Sequence, residues 1–151
     1  MTRLLVAIAL LGLVQFPAQA DEVTGLVTVV SKHDVATTTD KLIAALEEKG
    51  LTLFARIDHA AGAAKAGMTL APTELVIFGS PKVGTALMHC GQTAAIDLPL
   101  KALIWQDGEG VVRFGYNAPD WISNRHGLAG CEQVLTKVGG ALAGLAEAAT
   151  Q

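Results

Sequence analysis

The sequence predicts an α+β fold, a two-layer sandwich with helices packed on one face of a mostly antiparallel sheet. Short β-branched or apolar runs alternate with amphipathic helical patterns through the first two thirds of the chain. A strong turn signal, Asp107-Gly108-Glu109-Gly110, then joins two strand-like runs directly, and this hairpin breaks the strict alternation a doubly wound parallel sheet needs. A long apolar stripe at helical spacing closes the chain. The predicted order is β-α-β-(α)-β-α-β-β-α.

Gly25 to Val30 is short, β-branched and bounded by turn-formers, so it reads as a first strand. Asp34 is placed to cap a helix running to Lys49, with Val35, Thr39, Leu42 and Leu46 on one face and Gly50 at the left-handed stop. Asp40, Lys41, Glu47 and Glu48 form its solvated side. Leu51 to Asp58 alternates as a second strand, with Leu51, Leu53, Ala55 and Ile57 expected on one face. Asp58 caps a short helix from Ala60 to Ala66, which Gly67 closes. Glu74 to Phe78 is a nearly continuous apolar run, the pattern of a central strand buried on both faces.

Pro81 stands in the first turn of the next helix, to Cys90, where its missing N–H costs nothing. Pro99 excludes a regular central strand from the connection that follows. Lys101 to Gln106 and Val111 to Tyr116 form the hairpin. One last helix is expected from Leu128 to Ala149, carrying Cys131, Val134, Leu135, Val138, Leu142 and Leu145 on a stripe. Its Gly139, Gly140 and Gly144 are read as close-packing positions.

The N-terminus has the form of an export signal. Arg3 precedes the apolar run Leu4 to Val14, and Ala18-Gln19-Ala20 is a small-x-small cleavage site. Residues 1–20 are expected to be removed, leaving residues 21–151 as a single domain, periplasmic or secreted, with no membrane span. Losing Arg3 reduces 11 Lys+Arg to 10 against 14 Asp+Glu, a formal charge near −4. That mild acidity, with no basic cluster, excludes nucleic acid as a partner. Export also lets Cys90 and Cys131 form a disulfide, which would close 41 residues and stabilise the fold by about 4 kcal/mol on the chain-entropy estimate. The alternative for the two thiols is ligation.

Gly79-Ser80-Pro81-Lys82-Val83-Gly84-Thr85 has the glycine spacing of a phosphate loop, but no Lys stands between Gly84 and Thr85. Ser80 is expected to cap the helix, with a weaker anion site beside Lys82. His59, His89, Cys90, His126 and Cys131 are the candidate metal ligands. Imidazole and thiolate together suit copper or zinc, and haem is a further option, although none of the usual ligand spacings occurs. Asp58 and His59 could pair as acid and base with Ser80, but there is no nucleophile-elbow motif and nothing supplies an oxyanion hole. Trp105, Tyr116 and Trp121 are expected either to line a small apolar pocket or to belong to the core.

Several motifs in series carry a resemblance: Ile57-Asp58-His59, Ala63, Gly67 and Leu70, Pro72 through Thr85, Leu87-Met88, Asp97-Leu98-Pro99-Leu100-Lys101, and Tyr116-Asn117-Ala118-Pro119 through Arg125-His126. Together they resemble the domain of unknown function family 302 over essentially the whole exported chain. Gly79-Ser80-Pro81 replaces the family's usual Gly-Asn-Pro, and most members lack both cysteines. The resemblance implies a small α+β fold that often occurs as a homodimer, and it implies no reaction. The sequence therefore points to an exported, non-catalytic or weakly catalytic domain that binds a small ligand or partner, with Asp58, His59, Ser80 and Lys82 as candidate contacts. A metal- or haem-linked redox protein and a structural interaction module without ligand are the alternatives.

Overall fold

The computed structural model describes residues 19–20 and 25–151. The expected export signal lies outside the described residues, apart from Gln19–Ala20, which form a two-residue strand, β1. The remaining elements are β2 (Leu26–Val30), α1 (Val35–Glu48), β3 (Thr52–Asp58), α2 (His59–Lys65), β4 (Thr73–Gly79) and α3 (Pro81–Cys90). A 3-10 turn over Gln92–Ile96 follows, then β5 (Leu100–Gln106), β6 (Val112–Asn117), α4 (Pro119–His126) and α5 (Glu132–Thr150). The sheet order is β1-β2-β6-β5-β4-β3, and every neighbouring pair is antiparallel. This is the predicted α+β sandwich. Helices α1 and α5 pack together across one face of the sheet.

Asp34 caps α1 through a 2.7 Å bond from the Thr37 N–H, and Gly50 turns the chain out at φ +64°. The core joins Leu42, Leu46, Leu142 and Leu145 of these helices to Val76, Phe78, Ile104 and Phe114 of the sheet. Strand β4 has partners on both sides, but it is buried on one face only. Glu74, Val76 and Phe78 point into the core, whereas Leu75 and Ile77 are half-buried on the outer face. An apolar run therefore overstated how deeply this strand sits.

A second correction concerns β3. Leu53 lies opposite Phe78, but Ala55 lies opposite Ile77, so the register shifts between them. A bulge inserts one residue, and the faces exchange at that point. Leu53 therefore leaves the face that Ala55 and Ile57 share. Arg56, on the core side, reaches the buried Glu74 through two bonds, 2.5 Å from Nε and 3.1 Å from the guanidinium tip, and meets Asp40 of α1 at 2.7 Å. Asp40 is thus an anchor of α1 to the sheet edge as well as a solvated residue.

The end of the chain also departs from expectation. A separate helix, α4, precedes α5, because Gly127 and Gly130 adopt left-handed backbone between them, at φ +63° and +87°. Cys131 is the N-cap of α5 and lies outside the helix proper. None of the three glycines within α5 is a close-packing position: a Cβ at Gly139 would make only ordinary contact with Pro119 at 3.6 Å, and Gly140 and Gly144 face open space.

Candidate functional site

The four candidate ligand contacts divide between the two ends of β4. Asp58 pairs in register with Glu74, while Gly79, next to Ser80, pairs with Thr52. The six residue steps of extended chain from Glu74 to Ser80 span about 20 Å, too far for Asp58, His59 and Ser80 to act on one substrate atom. Asp58 is engaged as the N-cap of α2, accepting from the Ala61 N–H at 2.8 Å. His59 opens that helix and is exposed.

Nor does the structure gather the candidate metal ligands. Cys90 and Cys131 form a disulfide, so their sulfurs are not available as thiolates. Among the described residues no three His, Cys, Asp or Glu side chains stand where they could hold one metal ion. His89 lies exposed in the last turn of α3. The buried ring of His126 is engaged at both nitrogens, with Nε2 2.6 Å from an Asp97 oxygen and Nδ1 3.0 Å from the Thr93 hydroxyl. The three aromatics do not share a pocket. Tyr116 is in the core beside Phe114, Trp105 covers Gly115 on the outer face, and Trp121 packs on Gly25 beneath the Arg125 guanidinium.

The Asp97–His126 pair belongs to a polar knot that the sequence left in separate pieces. Lys101 donates to the carbonyls of Asp97 and Pro99 at 3.0 and 2.9 Å, around a cis Leu98–Pro99 peptide. Burial pushes the Lys101 ammonium below the usual lysine range, and the Asp97 charge opposes that shift. The knot joins the connection before β5 to the end of α4. With both ring nitrogens of His126 engaged, it reads as a tie between segments.

The apolar cavities lie beside α3. On one side a half-open cavity of about 320 Å³ is lined by α3, the cis-proline connection and Phe54 at the β3 bulge. Pro81, Gly84, Thr85 and Met88 face it, a helical row at spacings of three and four. On the other side a cavity of about 430 Å³ lies between α3, α5 and the sheet, and Lys82 and Ala86 face it. Gly79, Ser80, Val83 and Leu100 line both. Both linings are overwhelmingly apolar. The Ser80 side chain does not cap α3, contrary to expectation, although the residue keeps the extended N-cap backbone at φ −122°. Pro81 supplies the first turn instead, with φ already set for a helix.

The family model described as "Domain of unknown function DUF302" matches residues 27–145. The chain belongs to the DUF302 family. The crystal structure of an uncharacterized conserved DUF302 protein from Bacillus stearothermophilus superposes with a TM-score of 0.74 at 14% identity, covering 83% of this chain and 98% of that one. At that identity the likeness extends to the fold. Three curated relatives, all from Brucella, carry a functional name. A protein named fluoride-specific ion channel FluC 1, from Brucella suis biovar 1, is 44% identical over 124 residues, 82% of this chain and 49% of that protein. One named FluC 2, from Brucella melitensis biotype 1, is 44% identical over 124 residues and is matched over 46% of its length. This DUF302 chain thus spans about half the length of the curated relatives it matches. Among its described residues no helix is long and apolar enough to cross a membrane.

Proposed function

We propose that this DUF302 domain is an exported binding domain for a small apolar molecule, held beside α3. The observation that carries the proposal is the pair of apolar cavities that flank this helix and meet at Ser80 and Val83. Their sizes fall in the range typical of small-molecule sites, and few polar groups interrupt the lining. Export rests on the N-terminal segment: a basic residue, an apolar run too short to span a bilayer comfortably, and a small-x-small site. Fluoride conduction, the activity named for the Brucella proteins, is assigned in this proposal to the half of those proteins that the chain does not match.

The test is titration with the neutral fluorophore N-phenylnaphthylamine, whose emission rises in apolar surroundings. Saturable enhancement is expected for the native protein. It should be lost in Val83→Trp, which places an indole where both cavities meet, while the near-ultraviolet circular dichroism of the core aromatics is kept. Absence of saturable binding, or binding indifferent to Val83→Trp in a folded variant, would refute the proposal.

A second reading, association with another copy of the chain, has its own support. Strand β3 is an edge of the sheet and carries exposed Leu53, Phe54 and Ile57. An edge without proline can pair with its own copy about a two-fold axis. Light scattering should then give a dimer mass that falls to the monomer in Phe54→Lys/Ile57→Lys, and a monomeric native protein rejects this reading.

A further inference from the structure

The two cavities beside α3 differ in charge, and the difference selects a class of ligand. The cavity toward the cis-proline connection has no charged lining residue. The one between α3 and α5 has two, Lys82 and Lys137, both exposed, and its only other polar side chain is that of Ser80. No carboxylate is among its lining residues, and neither lysine takes part in a salt bridge among the described residues. The interior is formed by Leu51, Phe78, Val138, Leu142 and Leu145. Resting on the apolar-site proposal above, we infer that the α3–α5 cavity takes a single-tailed amphiphile with a monoanionic head, an alkyl carboxylate, with its chain inside and its head at the two lysines.

The physical case has two parts. A flexible hydrocarbon tail suits a cavity walled by leucine and valine side chains on three elements, because its affinity comes from apolar area withdrawn from water. Such a tail alone would not distinguish this cavity from its neighbour. The lysines do, because an exposed ammonium on a long stem can follow an anionic head without being buried itself. An uncharged head would gain nothing from them, and a cationic head would be repelled. Each ion pair is solvent-exposed and therefore modest, so the head contributes selectivity and the tail contributes most of the affinity.

The experiment is displacement of N-phenylnaphthylamine by a series of n-alkanoates and by n-alkanols of matching length, each kept below its micelle-forming concentration. Each added methylene should tighten alkanoate binding about fourfold until the cavity is full. Each alkanoate should outcompete its matching alkanol by about tenfold at low salt, and this advantage should shrink at high salt. The advantage should vanish in Lys82→Gln/Lys137→Gln, a pair of exposed substitutions that leaves the apolar wall intact. Equal displacement by alkanols and alkanoates would overturn the choice of head, while the apolar site stood. Probe binding that neither series displaces would overturn the ligand class. Failure of the probe to bind at all would instead remove the underlying apolar site.

Discussion

Removing the Arg56 guanidinium should expose the cost of a carboxylate that the fold has buried. Glu74 points into the core from β4 with its side chain 10% exposed, and it receives two bonds from Arg56 of the neighbouring strand. This bidentate pairing is the first of the causes that hold Arg56 charged far beyond any accessible pH. In Arg56→Met the apolar stem remains but the carboxylate loses its partner. Breaking a fully buried pair costs about 3–5 kcal/mol. Arg56 is 35% exposed, so water can partly replace it, and about 3 kcal/mol is expected. With a urea m-value of about 1.5 kcal/mol/M, the midpoint should fall by about 2 M. Arg56→Met/Glu74→Met, which removes both charges, should recover most of that loss, to within about 1 kcal/mol of the native protein. Equilibrium urea unfolding followed by circular dichroism measures all three proteins. A midpoint for Arg56→Met within about 0.3 M of native would refute the reasoning, as would a double variant no more stable than the single.

Replacing the disulfide with Cys90→Ser/Cys131→Ser should lower stability by about 4 kcal/mol on the chain-entropy estimate, read as a thermal or urea midpoint under non-reducing conditions. Gly140→Ala and Gly144→Ala should each raise stability by about 0.5–1 kcal/mol, because both lie inside α5 and a new methyl group meets nothing within 4 Å. Acid should destabilise the fold through three depressed carboxylates. Asp34 is held down by the Thr37 N–H, Asp107 by Arg113, and Glu132 by the Gly130 N–H. Their contribution is complete above the ordinary carboxylate range and is lost as pH falls through the lowered folded values. Asp107→Asn should therefore flatten part of the acid limb in a pH series of unfolding midpoints.

The elements that local chemistry specifies were legible in the sequence. The cap at Asp34, the stop at Gly50 and the Asp107–Gly110 hairpin each depend on a few adjacent residues, and each lies where those residues imply. The bulge at Leu53 was not legible, because an inserted residue looks the same as continued alternation until the partner strand is known. The single burial of β4 was hidden for a related reason: Leu75 and Ile77 carry no signal of what covers them. At the site, Ser80 and Lys82 were recognised at a helix entrance, but the entrance was taken for a polar feature. The apolar space on either side arises from how α3 stands off α5 and the sheet, which is a matter of tertiary spacing. The Asp97–His126 knot joins residues 29 positions apart, and only the fold brings them to 2.6 Å.

Helix α3 is fastened unevenly. Its last residue, Cys90, is covalently bound to the N-cap of α5, whereas its first turn carries no cross-link and separates two apolar cavities. A ligand entering at Ser80 and Lys82 would therefore meet the end of the helix that carries no cross-link, one residue from Gly79 of β4. Because α3 is the common wall, a ligand that pushed it to one side would narrow the cavity on the other. Occupants of the two sides could then compete without touching, and reducing one sulfur–sulfur bond would remove the link that ties their common wall to α5.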